Sequence, residues 1–310
     1  MTVRRRRAIL LVLAASGAAA WLWCARPPGP TGAWMARAGV TERFLDAAGW
    51  RVRYVRAGSG PPVVLLHGLA SSIYTWSETL PGLAARHDVV ALDFPGFGGT
   101  ETRPTLTADD LARVVPAVAD GLGLGAYDLV GHSLGGAIAA VTAAAHPQRV
   151  RRLVLVDAAG FNLAASDRPA VVRALGTVPP AVFELLPLRR PATALGLRQV
   201  FHDGRLLTRE RVDEYLAPMA RPGTAAALRS LLTSRDGLDV PAEVARIRQP
   251  TLVIWGRDDR WIDVSHAARF AAAIPGARTA LLDGCGHMPQ EERPADFVRL
   301  VLAFLDGDAS

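Results

Sequence analysis

The sequence predicts an α/β fold, in which a mostly parallel sheet is covered by helices on both faces. Two observations predict it. Short runs of Val, Leu and Ile alternate along the chain with longer Ala- and Leu-rich segments. Several runs are apolar at every position, which is typical of strands buried on both faces and not of half-exposed strands. The 310 residues, 50% of them hydrophobic, suffice for one such domain with an insertion.

The first 30 residues predict an export segment and a linker. Arg4–Arg7 precede an uncharged apolar run, Ala8–Ala25, which as a helix would span about 27 Å of a bilayer core about 30 Å thick. Arginines on the amino side predict a cytoplasmic N-terminus. The alternative is a cleaved signal peptide with Ala18-Ala19-Ala20 at the cleavage site. We expect an exported body, either membrane-anchored outside the cytoplasm or, if the leader is cleaved, secreted or periplasmic.

Charge and cysteine content exclude several classes of partner. The formal net charge is +6, and five arginines lie within residues 1–26, so the body is nearly neutral. A nucleic-acid partner is therefore not expected, because it would require a contiguous basic surface. Cys24 lies in the apolar leader and Cys285 in the body, so a disulfide between them is not predicted. Their spacing matches no metal site.

The body divides into elements in a regular order. The predicted helices include Ala108–Leu122 and Leu134–His146. The first two strands are expected to form an antiparallel hairpin joined by residues 57–60, Ala-Gly-Ser-Gly. The predicted strands are Trp50–Val55, Val63–Leu66, Val89–Asp93, Tyr127–Val130, Leu153–Val156, Leu252–Trp255 and Arg278–Leu282.

Residues 164–238 interrupt this alternation. They contain no convincing strand, and seven prolines separate short apolar helical pieces. We predict a helical insertion that forms a cap, with the α/β core contributed by residues 40–163 and 239–306. The alternative is an ordinary run of surface helices.

The strongest local motif is Gly131-His-Ser-Leu-Gly135, which follows the strand Tyr127–Val130 and precedes a helix. Such a strand–turn–helix junction is a nucleophile elbow, whose strained serine requires small neighbours two residues away on both sides. The start of the following helix directs free N–H groups and a positive dipole end towards the site. Ser133 is therefore the candidate nucleophile, and the alternative is a plain glycine-rich turn.

An activated serine needs a histidine base. His287 follows the last predicted strand, where a loop can carry its ring over the edge of the sheet. His132 adjoins Ser133, but its side chain is expected to point away from the nucleophile and to be structural. The remaining histidines other than His67 are expected at the surface or at helix ends, namely His87, His146, His202 and His266.

The base in turn needs an acid to orient it. Asp258 and Asp259 both follow the strand Leu252–Trp255, and periodicity alone does not choose between them. The chain order is then Ser133, Asp and His287, with each residue placed after a strand, which is the order of α/β-hydrolase enzymes.

Two backbone N–H groups would form the oxyanion hole. The N–H of Leu134 directly follows the nucleophile. The N–H of Leu69 lies in the loop after Val63–Leu66, where Gly68 is expected to permit the turn that points it inward. Asp93 is expected to cap the turn in Asp-Phe-Pro-Gly-Phe-Gly and to fix that loop. The sequence has no phosphate-binding loop, dinucleotide motif or metal cluster, so no cofactor and no metal are predicted.

These motifs together resemble those of the capped α/β-hydrolase family over about residues 40–306. The resemblance implies an eight-stranded sheet and selects Asp259 as the catalytic acid. The body of the chain is also similar to the membrane-anchored monoacylglycerol lipases. Epoxide hydrolases and haloalkane dehalogenases resemble this family but place Asp at the elbow. This chain has Ser133 there, which argues against both activities. The motifs are His67-Gly, Asp93-Phe-Pro-Gly-Phe-Gly, Gly131-His-Ser-Leu-Gly-Gly, Trp255-Gly-Arg-Asp-Asp and Gly286-His, with Asp157-Ala-Ala-Gly before the cap.

Three functions remain open at this point. The first is a lipase or esterase that cleaves carboxylic esters through Ser133, Asp259 and His287, with a small ester or lipid substrate and membrane contact through the N-terminal segment. The second is a carbon–carbon bond hydrolase of ring-fission products with the same triad. The third is a non-enzymatic, membrane-tethered accessory protein. Apolar cap residues are expected to line an acyl pocket in the first case, namely Val182, Phe183, Leu185 and Leu186.

Overall fold

The computed structural model describes residues 28–161, 186–233 and 240–307. Eight strands form one sheet in the order β1-β2-β4-β3-β5-β6-β7-β8. Strand β2 is antiparallel to β1 and β4, and all other neighbours are parallel. The predicted α/β fold with a mostly parallel eight-stranded sheet is confirmed. The strands are β1 Arg43–Ala47, β2 Trp50–Ala57, β3 Pro62–Leu66, β4 Asp88–Leu92, β5 Tyr127–His132, β6 Val150–Val156, β7 Thr251–Gly256 and β8 Arg278–Leu282.

Eleven α-helices lie within the described residues. Two short 3₁₀ segments, Ile73–Trp76 and Gly204–Leu206, accompany them. The helices are α1 Ala33–Arg37, α2 Leu80–Ala84, α3 Ala108–Gly121, α4 Leu134–Ala145, α5 Leu186–Val200, α6 Arg209–Met219, α7 Thr224–Thr233, α8 Val240–Val244, α9 Ser265–Ala273, α10 Pro289–Glu292 and α11 Pro294–Leu305.

The sheet buries side chains on both faces, as its continuous apolar strands predict. In β3, Val64 and Leu66 belong to a hydrophobic cluster that includes α3, α4 and α9. Their neighbours Val63 and Leu65 belong to the opposite cluster, which includes α2 and α11. Each such side chain, fully buried, stabilises the fold by about 1.5–3 kcal/mol relative to exposure. The two layers of helices thus hold the carboxyl ends of β3, β5, β6, β7 and β8 rigidly at one edge.

The predicted first hairpin is wrong. Strand β2 pairs with β1 on one side, Ala47 opposite Trp50, and with β4 on the other, while β3 lies between β4 and β5. Strand β1 was missed because it lies at the edge of the sheet, where most of its residues are exposed and form no apolar run. The Gly-rich segment after β2 is therefore a crossover to β3, with the edge strand β1 supplying the antiparallel partner.

Between β6 and β7, the described residues form helices. The described part, residues 186–233, contains α5, α6 and α7 and no strand. Residues 164–185 and 234–238 of the predicted cap lie outside the described residues, as do Val182, Phe183 and Leu185. For Leu186 only the helical backbone is described.

A short segment before β1 fastens α6 to the body. The Gly32 N–H donates to Glu214 Oε1 at 2.6 Å, and Arg37 forms an ion pair with Glu210 at 2.6 Å. Trp34 is only 2% exposed and packs edge-on against Tyr74. Residues 1–27, which include the apolar leader and Cys24, lie outside the described residues. Among the helices described, none is long and apolar enough to cross a bilayer.

Candidate active site

Ser133 occupies a strained turn between β5 and α4. Its backbone has φ 52° and ψ −116°, a region that non-glycine residues rarely adopt. Both glycines of the motif are required sterically. A Cβ on Gly131 would lie 2.3 Å from the Gly135 carbonyl oxygen, and one on Gly135 would lie 2.4 Å from that of Leu66. The turn is braced by β6, because the Ser133 N–H donates to the Val156 carbonyl at 2.9 Å.

The structure brings the three candidate catalytic side chains together. His287 Nε2 lies 3.0 Å from Ser133 Oγ, and His287 Nδ1 lies 2.7 Å from Asp259 Oδ2. All three residues are buried. The other oxygen of Asp259 accepts the backbone N–H groups of Trp261 at 2.7 Å and Ile262 at 3.0 Å. An acceptor-only carboxylate in this place fixes the proton on Nδ1, so the lone pair of Nε2 faces the Ser133 hydroxyl.

The two adjacent acids after β7 have different surroundings. Asp259 points inward to His287. The side chain of Asp258 is 41% exposed and lies 3.3 Å from His202 Nδ1 at the surface. The geometry thus separates two residues that sequence periodicity alone left equivalent.

His132 contacts the loop that carries His287, a role that the sequence did not reveal. Its Nε2 donates to the His287 carbonyl at 2.7 Å, and the two imidazole rings are 5.0 Å apart. Burial lowers the pKa of His132 well below its ordinary value, so the ring is neutral. The prediction that its side chain is structural and does not face Ser133 agrees with this contact. No signal beyond its place beside Ser133 pointed to the bond with the His287 loop.

Contacts from the insertion, from the loop after β7 and from α10 also hold the loop that carries His287. The His287 N–H donates to the carbonyl of Val200, the last residue of α5, at 2.7 Å. Trp261 stacks on the imidazole with ring centroids 5.7 Å apart. Glu292 on α10 accepts from the Gly286 N–H at 2.8 Å and from the His202 N–H at 2.7 Å. Sequence reasoning singled out neither Glu292 nor Trp261.

A second buried polar cluster joins α6 to the same region. Glu291 accepts from the Thr75 hydroxyl at 2.8 Å and from the Tyr215 hydroxyl, and its carboxylate lies 3.0 Å from Arg211 Nε. Burial raises the pKa of Glu291 to about 7. Glu291 follows His287 by only four residues, so this cluster ties α6 and the loop after β3 to the backbone segment that carries the base.

The two candidate oxyanion-hole donors belong to the residue after Ser133 and to the loop after β3, which approaches Ser133 closely at Gly68. Leu134 begins α4, so its N–H has no partner within the helix. A Cβ on Gly68 would lie 3.1 Å from the Ser133 Cβ and 2.9 Å from His132 Nδ1. Gly68 is therefore required for close approach, and the left-handed residue of this loop is Ala70, with φ 55°. This differs from the expected turn-forming role of Gly68.

His67 and Asp93 fix the loop that carries Leu69. His67 Nδ1 donates to the Gly68 carbonyl at 2.7 Å, and its Nε2 accepts from the Phe94 N–H at 3.0 Å. Burial lowers the pKa of His67, and the neutral ring suits one donor and one acceptor. Asp93 accepts the N–H groups of Ile73 and Gly99, each at 2.7 Å. The expected structural role of Asp93 agrees with these bonds.

One group of three potential metal-binding side chains occurs in the described part of the chain. It comprises Asp157, Asp259 and His287, whose donor atoms lie within 4.8 Å of one another. Asp259 and His287 are already hydrogen-bonded to each other. We therefore treat the group as part of the Ser133 site and assign it no metal.

Comparison with known proteins identifies the family of the chain. Residues 61–294 match a family model described as the alpha/beta hydrolase fold. The chain is 34% identical over 281 residues to the dihydrolipoyllysine-residue acetyltransferase component of an acetoin cleaving system from Cupriavidus necator, covering 87% of this chain and 70% of that protein. It is 30% identical over 275 residues to a 2-hydroxy-6-oxo-2,4-heptadienoate hydrolase from Pseudomonas putida, covering 85% and 95%.

Two solved structures are similar over most of the chain. A membrane phospholipase A, described as a bacterial virulence factor, superposes with a TM-score of 0.77 and 26% identity, covering 99% of this chain and 100% of that chain. A meta-cleavage product hydrolase from Pseudomonas fluorescens gives a TM-score of 0.74 and 27% identity, covering 86% and 98%.

Proposed function

Because the chain belongs to the alpha/beta hydrolase fold family, we propose that it is a serine hydrolase that cleaves carboxylic esters, including esters of membrane lipids. The observation that carries this proposal is the hydrogen-bonded series from Ser133 through His287 to Asp259, with distances of 3.0 and 2.7 Å. A neutral imidazole between a hydroxyl and a carboxylate is the arrangement that activates serine for acyl transfer.

The proposed reaction proceeds through an acyl-enzyme. Ser133 Oγ attacks the ester carbonyl while His287 Nε2 takes its proton, and Asp259 stabilises the imidazolium that forms. The N–H groups of Leu69 and Leu134 stabilise the oxyanion. His287 then protonates the departing alcohol. Water, deprotonated by the same imidazole, hydrolyses the acyl-enzyme and restores Ser133.

A lipid substrate is supported by three features. A membrane phospholipase A resembles the chain over almost its whole length. The sequence places an apolar leader before the body, and the segment that follows it contacts α6 of the insertion. We therefore propose that the body is exported and, where the leader is retained, held at a membrane. We further propose that residues 164–238 cap the site and supply an acyl pocket.

Carbon–carbon bond hydrolysis is the second candidate, favoured by the named relatives that act on ring-fission products. Such a substrate is a carboxylate, whose burial calls for an available cation. Two buried arginines of the described insertion are each paired with an acid, Arg190 with Asp213 at 2.5 Å and Arg211 with Glu291 at 3.0 Å. These two arginines are therefore already engaged by acids, and the choice between the two candidates depends on the substrate test.

The test compares purified full-length protein with two serine variants. Wild-type protein is expected to hydrolyse p-nitrophenyl esters of graded chain length and monoacylglycerols, and to be labelled by a fluorophosphonate. Ser133→Ala is expected to lose both properties, whereas the exposed control Ser265→Ala keeps them. Full activity or labelling of Ser133→Ala contradicts the assignment. Faster turnover of 2-hydroxy-6-oxo-2,4-heptadienoate than of any ester selects the second candidate.

A further inference from the structure

Asp157 lies close to Asp259 and His287 and has no role in the reaction as written. It follows β6 directly, is fully buried, and has a left-handed backbone with φ 41°. Its N–H donates to the Ile254 carbonyl at 3.0 Å, and its Oδ1 accepts the Gly256 N–H at 3.0 Å. A carboxyl oxygen of Asp157 lies within 4.8 Å of an Asp259 oxygen and of a His287 ring nitrogen. The carboxyl group is thus held by β7 next to the triad.

The hydrogen-bond partners of the two acids are unequal. Asp259 receives three N–H donors, those of Trp261, Ile262 and the His287 ring. Asp157 receives one, and its Oδ2 has no donor among the described residues. An ionised oxygen that is buried without a donor is costly. A protonated oxygen in the same place can instead donate to the neighbouring carboxylate.

The charges that act on Asp157 from neighbouring elements are acidic. Asp259 follows β7 and Glu292 lies on α10. The loop after β8 contributes the buried Cys285 thiol and His287 ring, and its Asp283 side chain is exposed. Burial, and then the charge of Asp259, raise the pKa of Asp157 well above its usual range. Two carboxyl groups this close do not both ionise when one already carries three donors.

We propose that Asp157 is a positioning residue that keeps its proton and donates it in a hydrogen bond to the Asp259 carboxylate. The bond gives the Asp259 carboxylate a fourth donor, in addition to the N–H groups of Trp261, Ile262 and the His287 ring. The two acids follow neighbouring parallel strands, β6 and β7, so their relative position is set by the sheet. The expected effect on rate rests on the proposed function, because it acts through the triad. The position of the proton does not depend on the proposed function.

Two substitutions of similar size separate this role from simple packing. In Asp157→Asn the amide oxygen can accept from Gly256 while the NH₂ group donates to Asp259, so kcat/KM is expected to stay within about threefold of wild type. Asp157→Leu has no donor, and kcat/KM is expected to fall about tenfold or more, which corresponds to losing one hydrogen bond to a charged group. Equal losses in the two variants would overturn the proposal.

The pH–rate profile distinguishes a neutral from an ionised Asp157. If Asp157 is neutral, Asp157→Asn changes no charge, and the acid limb of kcat/KM is expected at the wild-type pH. If Asp157 is ionised, the same substitution removes a negative charge beside the imidazole. The acid limb would then move to lower pH by about one unit or more, which is the expected scale for loss of an adjacent charge, and the proposal would fail.

A spectroscopic measurement tests the proton without using activity. The infrared difference spectrum of full-length wild type minus Asp157→Asn at neutral pH is expected to contain the carbonyl band of a protonated carboxyl group, and Glu291 cancels because both proteins have it. No band overturns the proposal. The band in a protein that hydrolyses no ester shows that the proposed function fails while the proton assignment stands. Failure of Asp157→Leu to fold leaves the asparagine variant to decide.

Discussion

The adjacent acids Asp258 and Asp259 allow a matched test of the proposed triad. In Asp259→Asn the amide oxygen would keep the two backbone donors, the Trp261 and Ile262 N–H groups at 2.7 and 3.0 Å. The NH₂ group would then face His287 Nδ1, which becomes the acceptor. The imidazole proton moves to Nε2, and Nε2 can no longer accept the proton of Ser133.

We therefore expect Asp259→Asn to fold with an intact site in which His287 has the wrong tautomer. The expected loss in kcat is about 10⁴-fold, the scale known for this substitution in another serine hydrolase fold, or about 5 kcal/mol of transition-state stabilisation at about 1.4 kcal/mol per factor of ten. Asp258→Asn is expected to stay within about threefold, because the Asp258 side chain is 41% exposed and contacts only His202 among its described ionic partners.

The assay is initial-rate hydrolysis of a p-nitrophenyl ester, with urea unfolding as a check on stability. Both variants are expected to unfold near the wild-type midpoint. Asp259→Asn with more than about a tenth of wild-type kcat would refute the tautomer argument, since ten-fold corresponds to only about 1.4 kcal/mol. An equal loss in Asp258→Asn would refute the assignment of the orienting acid.

Three further predictions concern stability. Gly131→Ala is expected to lower the free energy of unfolding by more than about 2 kcal/mol in urea titrations, because its Cβ would lie 2.3 Å from the Gly135 carbonyl oxygen; an unchanged midpoint would contradict the elbow geometry. Phe297→Ala should cost about 3–5 kcal/mol, since the ring is fully buried beside Trp76. Burial raises the pKa of Glu291 from 4.5 to about 7, so the native state binds the extra proton and wild type should lose stability as pH rises through this interval. The loss relative to Glu291→Gln is about 3 kcal/mol at about 1.4 kcal/mol per pH unit, and parallel pH profiles of the two proteins would exclude it.

The buried part of the fold was predictable because burial leaves a direct trace in sequence. Strands β3 and β7 are nearly continuous apolar runs and are buried at almost every position. Strand β1 was not predictable in this way, because four of its five residues are not buried. Its absence from the prediction also caused the wrong hairpin, since β2 was given β3 as its only partner.

The site was predictable to the extent that each residue follows a strand. Motif spacing selected Ser133 and His287, and their 3.0 Å contact follows from the meeting of parallel strand ends at one edge. Contacts across the chain left no such trace. The bond from His132 to the His287 carbonyl joins residues 155 positions apart, and the roles of Asp157 and Glu292 depend on distances that no periodicity encodes.

The described part of the insertion is hydrogen-bonded to the loop that carries His287, the proposed base. The His287 N–H is bonded to Val200 at the end of α5, and Glu292 bonds both to the His287 loop at Gly286 and to the chain after α5 at His202. The bond between His287 and Val200 joins two buried residues and contributes about 1 kcal/mol, whereas the exposed bond from His202 to Glu292 contributes less. A motion that carried the end of α5 away from the body would therefore also release the backbone of His287. We therefore expect Val200 to stay in place when substrate enters, because its displacement would disturb the triad.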